Sequence, residues 1–145
     1  VTTVRVAFRY GDSRLFARVV CWLRGGDSAH CEVASVWTDT GLHHCVSSSW
    51  LDGGVRGKWM PLPAGKWRVY EIEAVTDPLA WLAQHKGEGY DLLGLLGVLW
   101  PRFGHSRRRW FCSEAVADLM GLREPQIFDL RTLESVCARF GERVQ

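Results

Sequence analysis

The sequence predicts an α+β fold in one domain spanning residues 1–145. Three observations predict it. Strand-like alternation fills the first half of the chain and helical spacing the second, as expected when strands and helices segregate. A length of 145 residues suits one domain with its own core. No internal repeat, low-complexity stretch or linker divides the chain.

The elements follow in order. Residues 3–10 alternate Val4, Val6, Phe8 and Tyr10 with polar or small residues, which predicts a half-buried strand. Residues 11–13 read as a turn and N-cap. Leu15, Phe16, Val19, Val20 and Leu23 then form a helical stripe that Gly25 and Gly26 stop. Residues 28–37 are a second strand, with Cys31, Val33, Ser35 and Trp37 on one face and His30, Glu32, Ala34 and Val36 on the other. A turn at 38–41 returns the chain as a third strand over 42–50, making a hairpin. Residues 55–60 read as a short edge strand broken off by Pro61 and Pro63, and residues 66–74 as a further strand. Asp77 and Pro78 are the N-cap and first residue of a helix running to about Lys86. An apolar segment at 92–100 reads as a short helix ended by Pro101. Cys112 opens the next helix, and residues 130–140 form the last, with Leu133, Val136 and Cys137 turned inward.

Composition narrows the function. Hydrophobic content of 47% and charged content of 23% are those of a folded globular chain. A net charge of +2 is too small to argue for nucleic acid. The one dense basic run, Arg107 to Arg109, reads as a solvated loop or a source of positive potential near Cys112. No apolar run is long enough to cross a bilayer, so no stable membrane insertion is expected. The first residues lack the basic start and apolar centre of a signal peptide. Five cysteines without framework spacing point to free thiols in a reducing compartment. The expected setting is therefore the cytoplasm, with export as an alternative. Eight tryptophans serve either the core or a ligand-binding surface.

The stretch Trp110-Phe111-Cys112-Ser113-Glu114 carries the candidate chemistry. Ala115, Val116, Leu119 and Met120 continue it as one apolar helical face. A thiol in a first helical turn feels the positive end of the helix dipole, which stabilises its thiolate. A cysteine nucleophile needs a base, and the base needs a group that orients it. His30 is the candidate base, with Glu32 beside it on the same face. Residues across the hairpin offer other orienting groups, about 5 Å away. If the turn centres on residues 39 and 40, paired numbers add to 79, and the His30 face meets His43, Cys45, Ser47 and Ser49. Glu32 has the alternative of pairing with an arginine. Cys31, His43 and Cys45 lack metal-ligand spacing, and neither metal nor cofactor is expected.

The order of these residues is informative. A strand histidine in Ser28-Ala29-His30-Cys31-Glu32-Val33, then Tyr90-Asp91, then Trp110 to Glu114 opening a helix, resembles the circularly permuted NlpC-type papain-like cysteine hydrolases. The nearest subgroup is the YiiX/YaeF-like proteins and similar short phage or prophage proteins. Lecithin:retinol acyltransferase-like enzymes share the permuted order, in which the histidine precedes the cysteine. The resemblance implies a small barrel or curved sheet on helices, with Cys112 as nucleophile and His30 as general base. It implies that Tyr90 binds substrate or stabilises the oxyanion, with Trp110 beside the site. It places a third polar residue near His43 to Ser47, so Ser47 joins Glu32 as a candidate. Glu32 stands where ordinary members often carry glycine.

The implied chemistry is acyl transfer through a thioacyl enzyme. The expected function is an amidase or endopeptidase acting on peptidoglycan peptides or a related amide, with a peptide or acyl substrate and the bacterial cell wall as partners. Two rivals stand beside it: an acyltransferase or thioesterase on lipid acyl groups, and a non-catalytic phage binding or structural module.

Overall fold

A computed structural model describes residues 2–92 and 108–145. The expected helix at 92–100 falls almost entirely outside them. Within the described residues, one eight-stranded sheet runs in the order β7-β6-β4-β3-β2-β1-β5-β8. Its long strands are β1 (Thr2–Tyr10), β2 (Ser28–Val36), β3 (Leu42–Ser49), β4 (Gly54–Pro61) and β5 (Trp67–Ala74). Short strands β6 (Gly89–Tyr90) and β7 (Arg109–Trp110) extend one side, and β8 (Glu142–Arg143) the other. The pairings are antiparallel except that of β6 with β7. The architecture is α+β, as expected. The small barrel is not formed: β7 and β8 are free edges two residues long, too short to carry a closing ladder.

Four helices accompany the sheet among the described residues: α1 (Leu15–Arg24), α2 (Pro78–His85), α3 (Cys112–Leu119) and α4 (Leu130–Phe140). None is long and apolar enough to cross a membrane. Asp77 caps α2 as expected, accepting from the amides of Leu79 and Ala80 at 2.9 Å each. The start of α1 differs. Its N-cap is Arg14, which supplies no side-chain cap. Asp12 accepts the Arg14 amide at 3.0 Å and grips its guanidinium, so the acid organises the turn and leaves the helix uncapped.

The two-residue period of the strands separates two apolar layers. Val4, Val6 and Phe8 of β1 and Cys31 and Val33 of β2 face the helices, against Ala115, Val116 and Leu119 of α3 and Leu133 and Cys137 of α4. Each large side chain fully buried there stabilises the fold by about 1.5–3 kcal/mol. Ala7, Ala34, Cys45, Trp67 and Val69 form a smaller cluster on the opposite face. The tryptophans divide: Trp67 and Trp81 are buried, whereas Trp22, Trp50 and Trp59 are exposed.

The strand at 54–61 is longer than its two prolines suggested, and it is not a bare edge. Gly54 pairs with Gly89 of β6, and Val55 donates to the Glu88 carbonyl at 2.8 Å. The close approach requires glycine. Gly54 has φ +140°, and a Cβ built there would stand 2.0 Å from the Glu88 carbonyl oxygen. Gly54→Ala is therefore expected to destabilise the chain by at least the ~1–3 kcal/mol of such backbone strain. Thermal unfolding of the two proteins checks this; an unchanged Tm would contradict the contact.

Candidate active site

Two ends of the chain build the site. Strand β2 brings His30, Cys31 and Glu32, and helix α3 brings Cys112 at its first position. The hairpin register adds to 79 at Val33 with Val46 and at Ala34 with Cys45, then slips at Val36 with His44. Continued toward the site, that register sets Ser47 across from Glu32. On the other side, Phe111 is the N-cap of α3, and its amide donates to the Glu114 carboxyl at 3.3 Å. Ser48 donates to the Trp110 carbonyl at 2.6 Å, which ties β3 to the strand that leads into Cys112.

The Cys112 thiol and the His30 imidazole lie close enough to shift each other's titration. The ring's Nε2 lies 2.7 Å from Glu32 Oε1. Glu32 is wholly buried. Arg56 Nη1 donates to its Oε2 at 2.7 Å, and Arg56 Nη2 donates to its Oε1. Arg56 Nε in turn reaches Asp52 at 2.7 Å, where Lys58 also donates at 2.8 Å. The chain of charge thus runs from thiol to imidazole to carboxylate to guanidinium. The arginine partner anticipated for Glu32 is Arg56.

The electrostatics follow from this packing. Burial alone would lower the His30 pKa, but the Glu32 charge and the hydrogen bond with Cys112 outweigh it and raise it to about 9. Burial alone would raise that of Glu32, but the His30 charge and the Arg56 hydrogen bond lower it to about 2. The Cys112 thiol is held well below its ordinary value. A hydrogen bond from the Cys31 thiol contributes most, burial opposes it, and His30 and the Cys31 amide add to the lowering. Burial drives the other thiols upward, those of Cys45 and Cys137 to about 12. The surroundings thus favour the thiolate of Cys112 and the protonated imidazole of His30.

The remaining expected residues lie as follows. Ser47 is not brought to His30: its hydroxyl donates to the Cys31 carbonyl at 2.7 Å, fixing the backbone beside the histidine. His43 stacks on Trp37 with centroids 3.7 Å apart, and His44 bonds to Ser35. Tyr90 lines a cavity of about 290 Å³ together with His30, Glu32, Ser49, Trp50 and Trp67. Its ring meets Trp50 edge-on at 5.9 Å. Trp110 turns away from that cavity. Its indole donates to Glu88 and packs on Trp81 and His85 of α2. Cys112 is 4% exposed and is not part of the cavity lining, whereas the His30 side chain is 21% exposed. Cys31 faces the helices and Cys45 the opposite layer, so these two do not converge on one ion.

Sequence reasoning missed Cys31 as the thiol's neighbour and Asp52 as the anchor of Arg56. The alternation that sent Cys31 to the helix-facing side was the available signal. Glu114, in the first turn of α3, is wholly buried. Burial, with the Asp91 and Asp118 charges nearby, raises its pKa to about 8, so near neutrality it is largely protonated and does not serve the helix dipole as a charge.

Two stability measurements check this electrostatic picture. Glu32→Gln breaks a buried ion pair and is expected to cost about 3–5 kcal/mol in urea unfolding. The Glu32 contribution is fully present above its ordinary value of 4.5 and is lost as pH falls toward about 2, so the variant should show a flatter acid limb. Glu114 has the opposite sign. Its contribution is present below 4.5 and is lost as pH rises through about 8, so Glu114→Gln should lose less stability than the wild type over that window. Comparison with protein-family models, with curated proteins and with solved structures finds no match to this chain.

Proposed function

We propose that the chain is a cysteine hydrolase that forms and resolves a thioacyl intermediate, of the permuted NlpC-type papain-like kind. One observation carries the reading: a thiol at a helix N-terminus, lowered in pKa, neighbours an imidazole whose Nε2 is held by a buried carboxylate. In this reading Cys112 is the nucleophile, His30 the acid and base, and Glu32 the positioning residue that holds the ring and stabilises its charge.

The steps follow from the protonation states. The Cys112 thiolate attacks the substrate carbonyl, and the Cys112 backbone N–H at the start of α3 is placed to donate to the developing oxyanion. The His30 imidazolium gives its proton to the departing amine as the C–N bond breaks. The imidazole, now neutral, takes a proton from water as that water attacks the thioester and releases Cys112. Peptidoglycan peptides or a related amide are the substrates we propose, with Tyr90 on the binding side of the cavity.

A second reading, a non-catalytic binding module, is favoured by the near-complete burial of Cys112 and its absence from the cavity lining. Alkylation separates the two. With iodoacetamide at pH 6–7, Cys112 is expected to react before Cys21, the more exposed thiol whose pKa burial raises. Mass spectrometry of the modified peptides reads the order; labelling of Cys21 first favours the binding module. The activity profile should be bell-shaped, rising through the lowered thiol pKa and falling as His30 loses its proton near pH 9. Incubation with muropeptides and with short-chain acyl esters then names the substrate. Turnover of the esters alone would replace the peptidase assignment with a lipid-acyl one.

A further inference from the structure

We infer that the cavity beside His30 selects acyl groups whose far end is an anion, a carboxylate or a phosphate. The inference rests on the hydrolase reading for its substrate and on the cavity walls for its chemistry. Two cationic groups of side chains face this space. Arg9 and Arg14 share Asp12 on one side, with Arg9 Nε at 3.3 Å and Arg14 Nε at 2.9 Å from its Oδ2. Arg56 and Lys58 share Asp52 on the other, and Arg56 also holds Glu32.

The acids there are already taken. The Asp12 side chain is 4% exposed and is gripped by two guanidinium groups. Glu32 is wholly buried and divided between His30 and Arg56. Asp52 serves Arg56 and Lys58. The unused hydrogen-bonding capacity of these charged groups is on the donor side. Among the described residues, Arg14 Nη1, both Nη atoms of Arg9 and the remaining Lys58 protons donate to no protein acceptor.

Charge points the same way. Four fixed cations meet three carboxylates here. A saturated acceptor set with spare guanidinium donors repels cations and has nothing to offer a neutral amide beyond donation. It suits a group bearing several acceptor oxygens. Trp50, Leu51, Met60 and Trp67 supply apolar surface between these cations and the histidine. The Arg9 guanidinium lies over the Trp67 ring at 6.0 Å, which anchors it at that wall. A volume of about 290 Å³ is at the small end for ligand sites, so the acyl group is short.

The test compares two esters of one phenol, 4-nitrophenyl glutarate and 4-nitrophenyl valerate, which differ only at the far end, a carboxylate against a methyl. The glutarate is expected to be preferred in kcat/KM by about tenfold, the worth of one charge-assisted hydrogen bond. Arg14→Gln and Lys58→Met, both at exposed side chains, should each bring that ratio toward one. Raising the salt should do the same, because open charge pairs are screened. Equal turnover of the two esters would overturn the inference and leave the hydrolase reading standing. If neither ester acylates Cys112, the hydrolase reading fails, and binding decides the inference separately. Cys112→Ala is titrated with glutarate, butyl phosphate and valeramide, read by tryptophan fluorescence. Preferential binding of either anion, weakened in the Arg14→Gln background, supports the inference and names the anion. Binding of neither anion at millimolar concentration, or equal binding of valeramide, overturns it.

Discussion

The carboxylate of Glu32 is the constraint on which the site depends. A charge with no exposure to water is costly unless it is paired and hydrogen-bonded. Here His30 and Arg56 together meet that demand. Because the carboxylate cannot be left alone, it dictates where the other two go. The imidazole must present Nε2 to it, and the guanidinium of β4 must reach across β3 to it. The arrangement sets the proton inventory of the cleft as well as its shape. His30 keeps its proton because the charge beside it is buried and full.

Five cysteines in one small chain show how completely surroundings decide reactivity. Cys45 and Cys137 sit in apolar layers, and burial makes them poor nucleophiles. Cys31 is equally buried, yet it lies against Cys112 and lends that sulfur both a thiol and an amide donor. Cys112 has the helix start, the imidazolium and these two donors acting together. Burial and the Glu32 charge hold the Cys31 thiol up, whereas the Cys31 thiol and His30 hold that of Cys112 down.

The short strands give the sheet its usable edge. Gly89 and Tyr90 lie between β4 and β7, and this pairing brings the chain leading into Cys112 alongside the hairpin. Ser48 and Glu88 reinforce the junction from either side, through the Trp110 carbonyl and the Trp110 indole. Ser47 pins the Cys31 carbonyl one residue away. Two neighbouring serines of one strand thus hold the two halves of the site by their backbones.

Much of this was legible in the order of residues. Alternation located β1, β2, β3 and β5, and it assigned His30 and Glu32 to one face and Cys31 to the other. Asp77 with Pro78 announced α2, and the hairpin numbers adding to 79 held at Val33 and Ala34. These are local rules, each acting within a few residues or across one turn, so the sequence by itself determined the elements and their faces. It could not say that Arg56 would take Glu32, that Ser47 would turn to the Cys31 carbonyl, or that Cys31 would lie on Cys112. Two-residue strands such as β6 and β8 are too short for any periodicity, and a carboxyl's charge depends on how deeply it is buried, as the neutral tendency of Glu114 shows. Only the tertiary structure decided these matters, because contacts between residues many positions apart are set by which buried charges and hydrogen-bonding groups must find partners once the sheet closes over them.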